Sequence, residues 1–134
     1  MILSENREDE LRKFATKIRL NTLRTLNHLG FGHYGGSLSI VEVLAVLYGE
    51  IMPMTPEIFA SRDRDYFVLS KGHAGPALYS TLYLNGFFDK EFLYSLNTNG
   101  TQLPSHPDRN LTPGIDMTTG SLGQGISVAT GLAY

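Results

Sequence analysis

Three histidines stand in loops beside glycine or proline: His33 in GHYGG, His73 in SKGHAG and His106 in SHP. Imidazole can donate or accept a proton near neutral pH, so these side chains suit proton transfer or contact with an anion. A lone loop histidine is otherwise an ordinary surface residue. The fourth, His28, closes a helical pattern where a cation suits the helix dipole, and it is given no role. The run TTGSLGQG over residues 118–125 supplies backbone N–H groups ahead of a helix, a way to hold an anionic or polar ligand. Close helix packing is the competing reading of the same glycines. The spacing is neither that of a dinucleotide fold nor that of a phosphate loop. No pair of the histidines has short metal-ligand spacing, so these residues predict no metal site.

Such groups need elements to hold them. Ser4 reads as an N-cap, with Glu5 and Glu8 at the helix's positive end. Leu11, Phe14, Ala15, Ile18 and Thr22 then recur at three- and four-residue steps, predicting one long amphipathic helix that ends near Gly30. Ser39 and Glu42 have the spacing of a capping box and predict a second helix. Its body, residues 40–52, is apolar on nearly every face and must be buried in this domain or against a partner. Pro53 and Pro56 are expected to end it. Residues 66–69, YFVL, read as a short buried strand, with residues 65–70 as the principal strand. SKGH leads from it into an apolar helix over residues 76–84, closed by Asn85 and Gly86. Asp89 caps a short helix running through Leu96, and residues 97–114 form a loop. A last helix begins near Ile126 and is still running at Tyr134. One strand between helices predicts an α/β fold, helix-rich, with a sheet left incomplete, because a single strand leaves its backbone groups unpaired. His73 falls at that strand's carboxyl end, where open α/β sheets bind ligands.

The 134 residues are the size of one domain, taken as residues 1–134, and 42% hydrophobic content is enough for a core. Net charge is −2 without a basic stripe, so nucleic acid is not expected as a partner. The absence of cysteine excludes a disulfide framework and thiolate metal sites. The first ten residues are acidic and polar, unlike a signal peptide, and residues 40–52 contain Glu42 and Glu50 and are too short to span a bilayer. A cytoplasmic protein without membrane association is expected.

Taken in order, these motifs resemble the amino-terminal segment of transketolases. Gly32-His33 with Gly35-Gly36-Ser37 is similar to the family's GHxG motif, Ser70-Lys71-Gly72-His73-Ala74 to its second histidine motif, and His106-Pro107 to its third. Pro113-Gly114 and the following TGSLGQG resemble its PG…TGxLGQG block. The similarity runs from about Arg7 to the last residue. GHYGGSLS with SKGHA looks most like the bacterial and archaeal type split into two polypeptides, of which this would be the start of the amino-terminal one. Deoxyxylulose-phosphate synthase and dehydrogenase components vary these motifs differently and are the alternative enzymes. Tyr34 stands where proline is common, and Ser105 where glycine often precedes the third histidine.

The resemblance implies a thiamine-diphosphate-binding fold and transfer of a two-carbon ketol unit from a ketose phosphate to an aldose phosphate. It implies that His73 contacts the cofactor diphosphate and that backbone at Gly120, Ser121 and Leu122 meets the thiamine part. His33 and His106 would bind substrate oxygens and help move protons. The implied partners are sugar phosphates and a transketolase carboxy-terminal section, in a homo- or hetero-oligomer. The family's magnesium motif, GDG followed by Asn, would begin just after Tyr134, and its activating glutamate lies in the other polypeptide or domain. These 134 residues alone are therefore expected to bind thiamine diphosphate and magnesium poorly and to be inactive. The competing expectation is a non-catalytic product or binding module of the same fold.

Overall fold

The computed structural model describes residues 3–52 and 54–134. The first helix, α1 (Glu5–Leu29), follows its sequence pattern closely. Ser4 Oγ accepts the Arg7 N–H at 3.3 Å, and Gly30 closes the helix in the left-handed region at φ 85°, its N–H donating to Leu26 O. Leu11, Ala15, Ile18, Thr22, Thr25 and Leu26 form the buried stripe. The ion pairs Arg12–Glu8 and Lys13–Asp9 lie on the exposed face, where solvent screening leaves them little weight in stability.

The stripe of α1 packs on α5 (Gly75–Leu84), the central helix of the molecule, whose residues from Gly75 to Leu82 are all buried. A helix buried on every side must satisfy its own hydroxyls. Ser80 Oγ donates to Pro76 O at 2.9 Å and Thr81 Oγ1 to Ala77 O at 2.9 Å. Thr22 Oγ1 reaches Ile18 O at 2.8 Å and Ser80 Oγ at 3.1 Å, joining α1 to α5 through a small polar contact inside the core.

The segment between these helices differs from expectation. A short helix, α2 (Tyr34–Leu38), comes first, and the apolar helix α3 (Val41–Val46) starts two residues after Ser39. The expected capping box does not form. Ser39 Oγ donates instead to Gly36 O at 3.1 Å and accepts from Lys71 Nζ at 2.7 Å, while Glu42 pairs with Arg19 of α1. The helix then widens into a π-turn over Leu47–Ile51. Gly49 sits there under α1, where a Cβ would lie 2.8 Å from Leu11 Cδ2. Val41, Leu44, Ala45 and Tyr48 are buried, but Val43 and Ile51 remain 51% and 55% exposed, so only one face is covered within these residues. The run Tyr34–Ile51 reaches 18 residues at mean hydropathy 1.2 and is long and apolar enough to cross a membrane by length and composition. Here its buried side chains enter the protein core.

Pro53 lies outside the described residues. Pro56 opens a helix rather than ending one: α4 (Pro56–Phe59) starts at Thr55, whose Oγ1 accepts the Ile58 N–H. Asp89 caps α6 (Lys90–Tyr94) as expected, accepting the Phe92 N–H at 2.8 Å. Residues 97–114 form a loop, and α7 (Gln124–Ala133) begins two residues before Ile126.

The expected strand is the main correction. Residues 66–69 carry no regular structure, and no strand occurs among the described residues. A strand is defined by a neighbour that takes its backbone groups. Here the Phe67 N–H goes to the Asp116 carboxylate at 2.8 Å, and only Leu69 of the four residues is fully buried. The fold is nonetheless the helix-rich part of an α/β arrangement with an incomplete sheet.

Candidate functional site

Four segments far apart in sequence meet beside the amino-terminal end of α5. His33 stands at the N-cap position of α2, its side chain free of any capping bond, after Gly30 and Gly32, both at positive φ (85° and 137°). His73 lies in a single 3-10 turn, Gly72–Ala74, that leads directly into α5. Its ring centroid is 5.1 Å from that of His33, and His33 is 6.4 Å from His106.

Glycines make this approach possible. A Cβ on Gly36 would stand 2.6 Å from His73 Nε2, so only glycine lets the ring rest against α2. A Cβ on Gly72 would lie 2.6 Å from Thr119 O and 3.1 Å from Gly120 Cα, both backbone atoms unable to yield. Gly125 touches Ser70 in the same way, and its N–H donates to Ser70 Oγ at 3.1 Å. The glycine run thereby packs against the turn that carries His73. Gly72→Ala is expected to destabilise the protein by about 1–3 kcal/mol, the usual cost of forcing atoms into a filled space. Chemical denaturation of the variant checks this, and an unchanged midpoint contradicts the close approach.

His106 is placed by its loop. Tyr79 of α5 donates its hydroxyl to Pro104 O at 2.7 Å. Asn97, at φ 58°, accepts the Ser105 N–H at 3.1 Å and donates to Ser105 Oγ. Pro107 O accepts the Thr119 N–H at 3.2 Å, tying this loop to the glycine run.

Two hollows flank this junction. A cavity of about 90 Å³ is lined by His33, His73 and His106 over an apolar floor that includes Leu26 and Leu96. An open depression of about 330 Å³ lies along residues 118–121 and the first turn of α7. A larger groove, about 370 Å³, runs between α1 and α3, but contains none of the histidines.

Burial holds the His73 ring below its ordinary pKa, helped by His33, Lys71 and His106. The ring is therefore neutral at pH 7. Because protonation is disfavoured in the folded state, this contribution to stability is intact above the ordinary imidazole pKa and is lost as pH falls below it.

The sequence-predicted residues largely converge: His33, His73, His106 and Gly120 share this junction. Ser121 lines the adjoining depression, whereas Leu122 is 68% exposed and lines neither hollow. Sequence reasoning missed Asn97 as a contributor and named Gly36, Lys71 and Thr119 only as parts of motifs. Gly36 and Lys71 stand inside recognisable motifs, whereas Asn97 carries no local signal.

The residues suit an anionic cofactor with a diphosphate. Gly123 heads α7 in the left-handed region with no side-chain cap, leaving the helix's positive end open. Thr119 Oγ1 is buried without a hydrogen-bond partner in the structure, beside the Gly72 contact. For a metal the result differs: among the described residues no group of three or more His, Asp or Glu side chains is arranged to hold one.

Residues 11–134 match the family model described as "Transketolase, thiamine diphosphate binding domain". The chain is 55% identical over 131 residues to the 6-deoxy-6-sulfo-D-fructose transketolase subunit SqwG of Clostridium sp. (strain MSTE9), covering 98% of this chain and 47% of that protein. It is 39% identical over 127 residues to the transketolase of Treponema pallidum, covering 94% of this chain and 19% of the relative. Among solved structures, the transketolase of Leishmania mexicana superposes with a TM-score of 0.86 at 35% identity, over 92% of this chain and 18% of that one. The chain thus spans half or less of the length of these relatives.

Proposed function

The chain belongs to the transketolase family, within its thiamine diphosphate binding domain, and on that premise we propose that it contributes the diphosphate side of a site for two-carbon ketol transfer. The donor is a ketose and the acceptor an aldose, each with an anionic group at its far end. That group is a phosphate or, as the name of the SqwG relative suggests, a sulfonate. The observation that carries this reading is the meeting of His33 and His73, 5.1 Å apart, with the Gly72–Gly120 backbone contact.

When bound, thiamine diphosphate supplies the nucleophilic carbon and electron sink for carbon–carbon cleavage. This chain's residues bind and orient. His73 and the open turn of α7 hold the diphosphate, while backbone at Gly120, Ser121 and Leu122 meets the thiamine end. His33 and His106 face the substrate's hydroxyl and carbonyl oxygens, donating to one and accepting from the other as protons move. The apolar floor of the histidine cavity excludes water from that side. Any magnesium that accompanies the diphosphate would take its ligands from residues other than these. The SqwG relative is a subunit by name, which supports a complementary polypeptide in a homo- or hetero-oligomer.

A coupled assay of the full protein with its complementary chain, a ketose phosphate and an aldose phosphate tests this reading. Turnover should require thiamine diphosphate, and its persistence without cofactor overturns the proposal. The depressed pKa of His73 adds a second expectation. A bound diphosphate favours imidazolium, so the pKa in the complex lies above that in the free protein. Affinity must then rise as pH falls through the window between them. Calorimetry from about pH 8 to about pH 5.5 should show stronger binding with proton uptake, spanning the imidazole range. His73→Gln should flatten the profile, and a flat profile in the unmodified protein contradicts the assignment.

A further inference from the structure

Lys71 joins the two segments that carry His33 and His73. Its Nζ donates to Gly36 O at 2.8 Å and to Ser39 Oγ at 2.7 Å, and Ser39 Oγ donates in turn to Gly36 O. Gly36 is the middle residue of α2 and Ser39 its C-cap, whereas Lys71 stands two residues before His73. Gly36 is also the residue against which the His73 ring rests. The peptide that Lys71 grips is thus part of the surface that seats the imidazole. An ammonium is strongly hydrated on a flexible stem, so ordering it against two neutral acceptors is not the default behaviour of a surface lysine.

We propose that Lys71 is a positioning residue whose ammonium clamps the His33 segment onto the His73 turn and so holds the two imidazoles at working separation. Its effect on turnover rests on the ketol-transfer reading above. The clamp itself does not. Lys71→Met keeps the stem and removes the charge, and Lys71→Arg restores a donor.

In the full protein with its complementary chain, Lys71→Met should lower kcat by about tenfold to a hundredfold, as expected for sub-ångström misplacement of reacting groups. The KM values should change less, and Lys71→Arg should recover most of the loss. Histidine-labelled NMR without cofactor should show cross-peaks between His33 and His73 in the unmodified protein and Lys71→Arg, and their loss in Lys71→Met. The His73 titration should move up in Lys71→Met, because one neighbouring positive charge is gone. Absence of ketol transfer in the unmodified protein would defeat the reading above, while the NMR comparison still decides the clamp. Unaltered cross-peaks and kcat in Lys71→Met overturn it. So does an equal loss in both variants accompanied by a lower unfolding midpoint, which assigns Lys71 to stability alone.

Discussion

On the proposed ketol-transfer reading, replacing His33 by alanine is expected to lower turnover by about 10²–10⁴-fold, the usual contribution of a positioned acid–base side chain. At about 1.4 kcal/mol per factor of ten, this corresponds to about 3–5 kcal/mol of barrier. The expectation follows from placement. His33 faces both other histidines, at 5.1 and 6.4 Å between ring centroids, and lines the same cavity. It heads a five-residue helix and is not part of the buried core, so its removal leaves the packing intact. Cofactor affinity should therefore hold while kcat falls. His106→Ala should act in the same direction, and the double variant should lose less than the product of the two, because the groups act on one substrate. Turnover of His33→Ala close to that of the unmodified protein would remove His33 from the chemistry.

The second large effect concerns stability. Asp116→Ala is expected to destabilise the protein by about 3–5 kcal/mol, the cost of leaving a buried charge without its partner. Arg64 Nη2 lies 2.6 Å from Asp116 Oδ1, with side chains only 7% and 4% exposed. The guanidinium stacks between Phe59 and Tyr66 and donates to the carbonyls of Phe59 and Asp65. The other carboxylate oxygen takes the Phe67 N–H. Loss of Asp116 strands a cation and a backbone donor together. Asp116→Asn keeps an acceptor for Phe67 and should cost less. The pair is not by itself net stabilising against an apolar replacement, so the prediction applies to breaking it rather than to its worth. Denaturant unfolding of the full protein measures the effect, and a loss below about 1 kcal/mol, the range of exposed pairs, contradicts it. Residues 66–69 feed the turn that carries His73, so the variant should also weaken cofactor binding.

The sequence by itself determined what depends on neighbours within about four residues. Ser4, the stripe from Leu11 to Leu26 and Gly30 define α1, because caps and helical periodicity act over one turn. Asp89 announces α6 for the same reason, and the apolar run after Pro76 announces a helix, α5. The histidine motifs were equally legible, since each couples an imidazole to a glycine or proline next to it.

Only the tertiary structure decided which of several local options each residue takes. Ser39 had the spacing to cap a helix, but Lys71, 32 residues away, holds its hydroxyl instead. Residues 66–69 had the composition of a strand, yet the one acceptor offered to Phe67 is a carboxylate 49 residues on, and no ladder forms among the described residues. The π-turn at Leu47–Ile51 has no local announcement. It accompanies the seating of Gly49 beneath Leu11 and Phe14. The site itself belongs to this class. His33, His73 and His106 meet because α5 is buried at the centre and the missing side chains of Gly36 and Gly72 let backbone and ring close upon one another. Those distances are properties of packing between segments, and no one segment contains them.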